Sequence, residues 1–209
     1  MGQKQTLPDA IFAQEYLGEF IDATGIFKYV DEVATLSRLS APAYGSNYSV
    51  GVDIAFKNDY TVAVCMDDKG QMVDYIRFNQ VDTQVMQDKL KEFFKKWNPR
   101  KIIIEENNQG IPVIDGLRRQ GVTNIEGFNT NSKSKGELVN KIMSAFNNRE
   151  ISLLNEDMIK EEFKAFTYSV TPSGNVTFAA AYGHDDIVMA TSFAFHGIVD
   201  MRWSKPVFM

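Results

Sequence analysis

Cysteine is almost absent: Cys65 is the single one in 209 residues. A lone thiol excludes a disulfide framework and any zinc site built on several cysteines, and it suits reducing, intracellular surroundings. No apolar run reaches the roughly 18 residues that a membrane-spanning helix needs. The opening Met1 to Leu7 is polar and lacks the apolar stretch of a secretory signal. A basic excess is also missing, since 22 Lys+Arg against 27 Asp+Glu leave a net charge of −5. That balance argues against a protein whose task is to coat nucleic acid. Internal repeats, low-complexity tracts, zinc fingers and basic recognition helices are lacking too, so little base readout is expected. What is present is ordinary for a folded protein, with 44% hydrophobic and 23% charged residues. At roughly 150 residues per domain the length predicts one substantial domain with additions, large enough to fold without staples.

Two regions differ in texture. Residues 1–46 are expected to form an N-terminal helix and a linker. Ile11, Phe12, Tyr16, Leu17, Phe20 and Ile21 recur at helical spacing between Asp9 and Ala23, after Pro8 and before Gly25. From Asp31 the periodicity weakens, and the small, Pro/Gly/Ser-rich stretch Ser40 to Ser46 reads as a connection. Residues 47–209 are expected to form an α/β domain. Tyr48 to Ala55, Tyr60 to Met66 and Met72 to Phe78 read as three antiparallel strands joined by polar turns. A helix from about Thr83 stops before Pro99. Lys101 to Glu105, Ile111 to Gln120 and Asn124 to Phe128 then predict a right-handed strand–helix–strand unit. Ser134 to Glu137 has capping-box spacing and predicts the start of another helix. A short helix over Asp157 to Phe163 and a hairpin turning at Pro172 to Asn175 follow, and a long apolar helix over Asp185 to Met201 closes the domain. Three antiparallel strands followed by parallel ones, with covering helices, specify a mixed sheet.

Acidic residues stand where these elements begin or end. Asp53 shares a strand face with Ser49, Gly51 and Ala55, a face of small side chains that leaves space above a carboxylate. It could instead cap the following turn. Glu105 ends a strand that is otherwise apolar, where ligands of open α/β sheets collect. Glu106, Asn107 and Asn108 continue into Gly110 as a polar loop. Asp185 and Asp186 open the last helix, a position that the helix dipole favours for acids in any case. Asp186 lies in line with Ala190, Ala194 and Gly197, small residues that permit close packing on a sheet, whereas Asp185 falls on a more mixed face. Three carboxylates from separate elements are hard oxygen donors suited to Mg2+ or Mn2+, and one or two such ions can activate water against a phosphodiester. His184 could position a nucleophile or touch a phosphate, or simply occupy the turn.

The stretches Val50-Gly51-Val52-Asp53, Ile103-Ile104-Glu105-Glu106-Asn107 with Gly110, and Gly183-His184-Asp185-Asp186 with Ala190 resemble the nuclease motifs of phage terminase large subunits. The upstream Ala13 to Phe20 is similar to the segment that joins the ATPase to the nuclease in that family, which would make residues 1–46 a remnant of that connection. The resemblance implies an RNase H-like fold and metal-dependent cleavage of double-stranded DNA during genome packaging. It implies metal carboxylates at Asp53, Glu105 and Asp186, with Asp185 as a further ligand. His184, Asp59 and Glu106 would stand behind them. It also implies an ATPase domain, a small terminase subunit and a portal as partners, no membrane association, and action in the host cytoplasm at the procapsid. No G-x-x-x-x-G-K-[ST] phosphate loop occurs, so ATPase activity is not expected of this chain.

Contacts to the DNA backbone call for lysines near the acids. Lys133, Lys135 and Lys141 around the predicted start of a helix are candidates, as are Lys160 and Lys164 before the hairpin. Each could equally be part of a solvated helix face. Competing readings are a junction resolvase or transposase-like nuclease, an ATP-binding domain of the actin and sugar-kinase type, and a docking module with a vestigial site. The ATP-binding reading lacks the glycines and hydroxyls expected after Asp53, where Phe56-Lys57-Asn58-Asp59 stands instead.

Overall fold

The computed structural model describes residues 25–55, 59–108, 110–171 and 176–203. The helix expected from Asp9 to Ala23 and the turn at Pro172 to Asn175 lie outside the described residues. The first elements are helix α1 (Val30–Val33), strands β1 (Ala34–Leu36), β2 (Tyr48–Asp53), β3 (Thr61–Asp67) and β4 (Met72–Phe78), and helix α2 (Thr83–Trp97). Strand β5 (Lys101–Glu105), helix α3 (Gly110–Arg119), strand β6 (Ile125–Phe128), helix α4 (Ser132–Asn147) and strand β7 (Leu153–Leu154) follow. Helix α5 (Asp157–Ala165), strands β8 (Phe166–Val170) and β9 (Val176–Ala180), and helix α6 (Asp186–Trp203) complete the order.

The central sheet has the order β4-β3-β2-β5-β6. Strands β4, β3 and β2 are antiparallel, and β2, β5 and β6 are parallel, as the connection lengths predict. The β3–β4 turn is fixed locally: Asp67 Oδ1 accepts the N–H groups of Lys69 at 3.0 Å and Gln71 at 2.9 Å. Gly70 supplies the positive φ of 87° that the turn requires.

Alternation along the strands divides the interior into two layers. Val50, Val52, Ile102 and Ile104 face α2 and α3, packing with Leu90, Phe94, Trp97, Val113 and Leu117. Val62, Val64, Met66 and Ile103 face the other way, toward α4, α5 and α6. Helix α6 is apolar nearly all round, with Ile187, Val188, Ala190, Phe193, Ala194 and Ile198 each inaccessible to solvent, as a helix enclosed by a sheet and other helices should be.

Two local expectations change. The capping box of α4 begins at Asn131, not Ser134: Asn131 Oδ1 accepts from the N–H groups of Lys133 and Ser134, both at 3.0 Å. The Ser134 hydroxyl in turn accepts from the Asn131 N–H at 2.9 Å. The helix therefore starts three residues earlier and gains most of a turn. The described residues 25–36 are also more than a connection. Phe27, Val30, Val33 and Ala34 are buried in the main core, and β1 pairs in parallel with β7.

Candidate metal-binding carboxylate site

Parallel pairing of β2 with β5 aligns Val52 with Ile104, so Asp53 and Glu105 come next at the same strand ends. Both point toward α6, because Gly51 and Ile103, two residues earlier on each strand, face that helix. A side-chain carbon at Gly51 would overlap Ala190 O and Ala194 N, so the absence of one lets the backbone of α6 rest on β2. Seating the helix there brings Asp186, in its first turn, over the strand ends.

Glu105 is oriented by its own loop. Asn107 Nδ2 donates to Glu105 Oε2 at 2.9 Å, while Asn107 Oδ1 accepts the Gly110 N–H at 2.8 Å and tethers the start of α3. A side chain at Gly110 would strike the Glu105 carbonyl. The Glu-x-Asn-x-x-Gly spacing thus has a mechanical cause.

The carboxylates act on each other. Burial raises the Asp53 carboxyl well above the ordinary range, and the charges of Glu105, Asp186 and Asp185 raise it further, with Lys135 opposing. The Asp186 carboxyl is raised as well, first by burial, and is drawn partly back by the Tyr60 N–H and by His184. Asp186 is only 7% exposed, yet its Oδ2 has no hydrogen-bond partner among the described residues. A buried oxygen of this kind needs a cation or a proton. Four acidic groups in mutual repulsion, all hard oxygen donors, fit Mg2+ or Mn2+. Asp53, Glu105 and Asp186 do not all fall within the 4.8 Å mutual spacing that Glu126, His196 and Asp200 reach. That second grouping is filled from within: Lys101 Nζ lies 2.6 Å from Asp200 and 2.9 Å from Glu126, so an ammonium sits where an ion would.

The other expected residues separate. Asp185 lies at the rim, with its Oδ2 3.7 Å from Lys135 Nζ. His184 Nδ1 stands 3.6 Å from exposed Asp59 and 3.7 Å from Asp186, and so connects the two. Glu106 is directed to the opposite face of the sheet, packed over Gly127, because strand alternation turns it away from Glu105. Lys133 is exposed beside Glu137, and Lys141 lies 3.0 Å from His196 Nδ1. Lys160 pairs with Asp157 at 3.0 Å, and Lys164 with Asp31 at 2.7 Å. Of the five lysines, Lys135 is the one paired with an acid of the cluster.

Two side chains absent from the sequence reading border Asp186. Glu162 of α5 is 6% exposed and accepts the Ile187 N–H at 2.8 Å. Arg77 of β4 lies 3.2 Å from Glu162 and 3.9 Å from Asp186. The available signal was the placement of Glu162 between Ile159 and Phe163 on an apolar helix face, where a lone charge needs a partner.

A mixed five-stranded sheet with acids at two adjacent strand ends and at the start of the helix lying on them belongs to the RNase H-like class. A family model described as the terminase RNaseH-like domain matches residues 50–197, and the chain belongs to that family. The terminase large subunit of Thermus virus P23-45 is 27% identical over 206 residues, covering 93% of this chain and 42% of that protein. The chain therefore spans less than half the length of that relative. The large terminase nuclease of thermophilic phage G20c, solved with bound magnesium, superposes with a TM-score of 0.76 at 23% identity, over 84% of this chain and 98% of that one. The large terminase nuclease domain of Thermus phage P74-26 gives 0.72 at 23% identity, over 82% and 94%. Among the described residues no helix is long and apolar enough to cross a membrane.

Proposed function

We propose that this chain is the nuclease domain of a terminase large subunit, hydrolysing phosphodiester bonds of double-stranded DNA with Mg2+ or Mn2+. The observation that carries this reading is the convergence of Asp53, Glu105, Asp186 and Asp185, in which burial and three neighbouring charges all disfavour ionised Asp53. Asp53, Glu105 and Asp186 would hold one or two ions, with Asp185 beside them. Bound ions would supply an acidified water and neutralise charge on the phosphate. The protein's own part is orientation. Gly51 seats α6 so that Asp186 meets the strand ends, Asn107 fixes Glu105, and Lys135 offers a cation to a phosphate oxygen at the rim. His184, between Asp59 and Asp186, is placed to steady the ligand side chain or meet the substrate. Membership of the terminase family supports partners of the packaging complex: an ATPase domain, a small subunit and a portal, in the cytoplasm of an infected cell. Lys133, Lys141, Lys160 and Lys164 remain candidates for wider contact with the DNA backbone.

The test is conversion of supercoiled plasmid to nicked and linear forms in MgCl2 or MnCl2. Asp53→Asn, Glu105→Gln and Asp186→Asn should each lower cleavage by about a hundredfold or more, in line with removal of a group needed in the transition state, while remaining folded. Cutting by all three variants at the wild-type rate would refute the site. Preference for four-way junctions over linear duplex would replace the terminase reading with that of a resolvase.

A further inference from the structure

We propose that Arg77 and Glu162 form a positioning pair that holds Asp186 in place for a metal ion without occupying it. The inference rests on the carboxylate site described above. Arg77 comes from β4, the edge strand farthest from β5, and reaches across to α5 and α6. Its guanidinium carbon lies over the Tyr60 ring, 3.9 Å from the centroid, and Tyr60 in turn meets His184 edge-on at 5.1 Å. The Tyr60 N–H is itself a hydrogen-bond donor to Asp186.

The division of labour follows from the distances. Glu162 uses Oε2 to accept the N–H of Ile187, the residue next to Asp186, and so fixes the first turn of α6. Its other oxygen, Oε1, faces Arg77 Nη1 at 3.2 Å. From the same guanidinium, Nη2 stands 3.9 Å from Asp186 Oδ2, too far for a hydrogen bond. The cation therefore balances two buried carboxylates through charge and proximity: among the described residues Asp186 Oδ2, Glu162 Oε1 and Arg77 Nε all lack a hydrogen-bond partner, and the 3.9 Å spacing leaves the lone pairs of Asp186 Oδ2 unused. Outer groups that orient ligands in this way typically change metal affinity or activity by about 10–100-fold when removed.

The sign of the effect separates positioning from simple charge. A cation beside a ligand repels a metal ion, so an arginine acting through charge alone would weaken Mn2+ binding, and its removal would tighten it. An arginine acting through position does the reverse. Calorimetric titration of the whole chain with MnCl2, with metal-free melting measured in parallel, distinguishes them. Arg77→Met and Glu162→Gln should each weaken Mn2+ binding by about 10–100-fold. Arg77→Lys should recover part of the loss, because an ammonium can pair with Glu162 but cannot span both acids. The double variant Arg77→Met with Glu162→Gln should be no weaker than the worse single one. Mn2+ binding by Arg77→Met at or above wild-type affinity would overturn the proposal. Should Arg77→Met fail to fold, wild-type affinity in both Glu162→Gln and Arg77→Lys would overturn it equally. Asp186→Asn is the control for the site itself: if it binds Mn2+ like the wild type, the carboxylate site fails, and this proposal with it.

Discussion

Gly51→Ala is a one-carbon change whose consequences can be worked from the packing. Along β2 the residues facing α6 are Ser49, Gly51 and Asp53, and a side-chain carbon on Gly51 would overlap Ala190 O and Ala194 N while lying 2.7 Å from Phe193 Cβ. Two of these three neighbours are helix backbone, which cannot swing aside as a flexible side chain would. Restoring ordinary contact requires α6 to lift from the sheet by about 1 Å. Overpacking of this kind typically costs about 1–3 kcal/mol, and a rigid helix backbone on one side places it at the upper end. At roughly 2–4 °C per kcal/mol for a domain of this size, melting should fall by roughly 6–12 °C. The same lift carries Asp186, one turn before Ala190, away from Asp53 and Glu105. A misplacement of about 1 Å in a reacting constellation can cost about a hundredfold in rate, so plasmid cleavage should fall more than stability alone explains, even well below the melting temperature. Gly136→Ala in α4 is the matched control, since its new carbon would meet only Phe178 Cε2 at 3.8 Å. It should raise stability by up to about 1 kcal/mol through helix propensity and leave cleavage unchanged. Wild-type melting and wild-type cleavage by Gly51→Ala would refute the claim that close seating of α6 on β2 assembles the site.

Asp53→Asn should make the metal-free protein more stable at neutral pH, although it destroys the site. Because the folded carboxyl is raised, its favourable contribution is complete below the ordinary aspartate range and disappears as pH rises through the folded value. Wild type in chelator should therefore lose stability from acid toward neutral pH more steeply than the asparagine variant. Melting curves across that range check this, and parallel curves for the two proteins would contradict it. Asn131→Ala removes the cap of α4 and should cost about 1 kcal/mol in urea denaturation. An unchanged midpoint would show that the Ser134 bonds suffice.

The parts of the fold that were legible in the sequence are those in which a local rule and the tertiary environment agree. Strand β4, Met72–Phe78, and strand β5, Lys101–Glu105, have the bounds that their patterns predict, one from its flanking turns and the other from its run of isoleucines. Asp53, Glu105 and Asp186 stand out as candidates because each interrupts or bounds an apolar element. Strands β1 and β7 were not, since two or three residues cannot display a period and their pairing joins positions more than a hundred residues apart. The cap of α4 was misplaced because Asn131 and Ser134 both fit a capping pattern, and the upstream residue wins by adding helix. Arg77 and Glu162 needed three-dimensional knowledge: β4 and α5 are distant in sequence, and nothing local to either says that the two side chains meet beside Asp186.

The net charge of −5 first weighed against a nucleic-acid substrate, and the arrangement of the acids reverses that judgement. Two acidic groupings in the molecule show why distribution matters more than total. Around Glu126, His196 and Asp200 an internal lysine sits at 2.6 and 2.9 Å, within hydrogen-bond distance, so the carboxylates are already satisfied and have little to offer an ion. Around Asp53, Glu105, Asp186 and Asp185 the lysine and arginine side chains hold back: Lys135 stops 3.7 Å from Asp185 and Arg77 stops 3.9 Å from Asp186. Those spacings moderate the repulsion without filling the lone pairs. With those gaps open, the repulsion that raises the Asp53 carboxyl persists in the metal-free state, and divalent cations held there would relieve it and reverse the local sign. The same acids that repel a bare phosphate backbone would then be the reason that it could bind there.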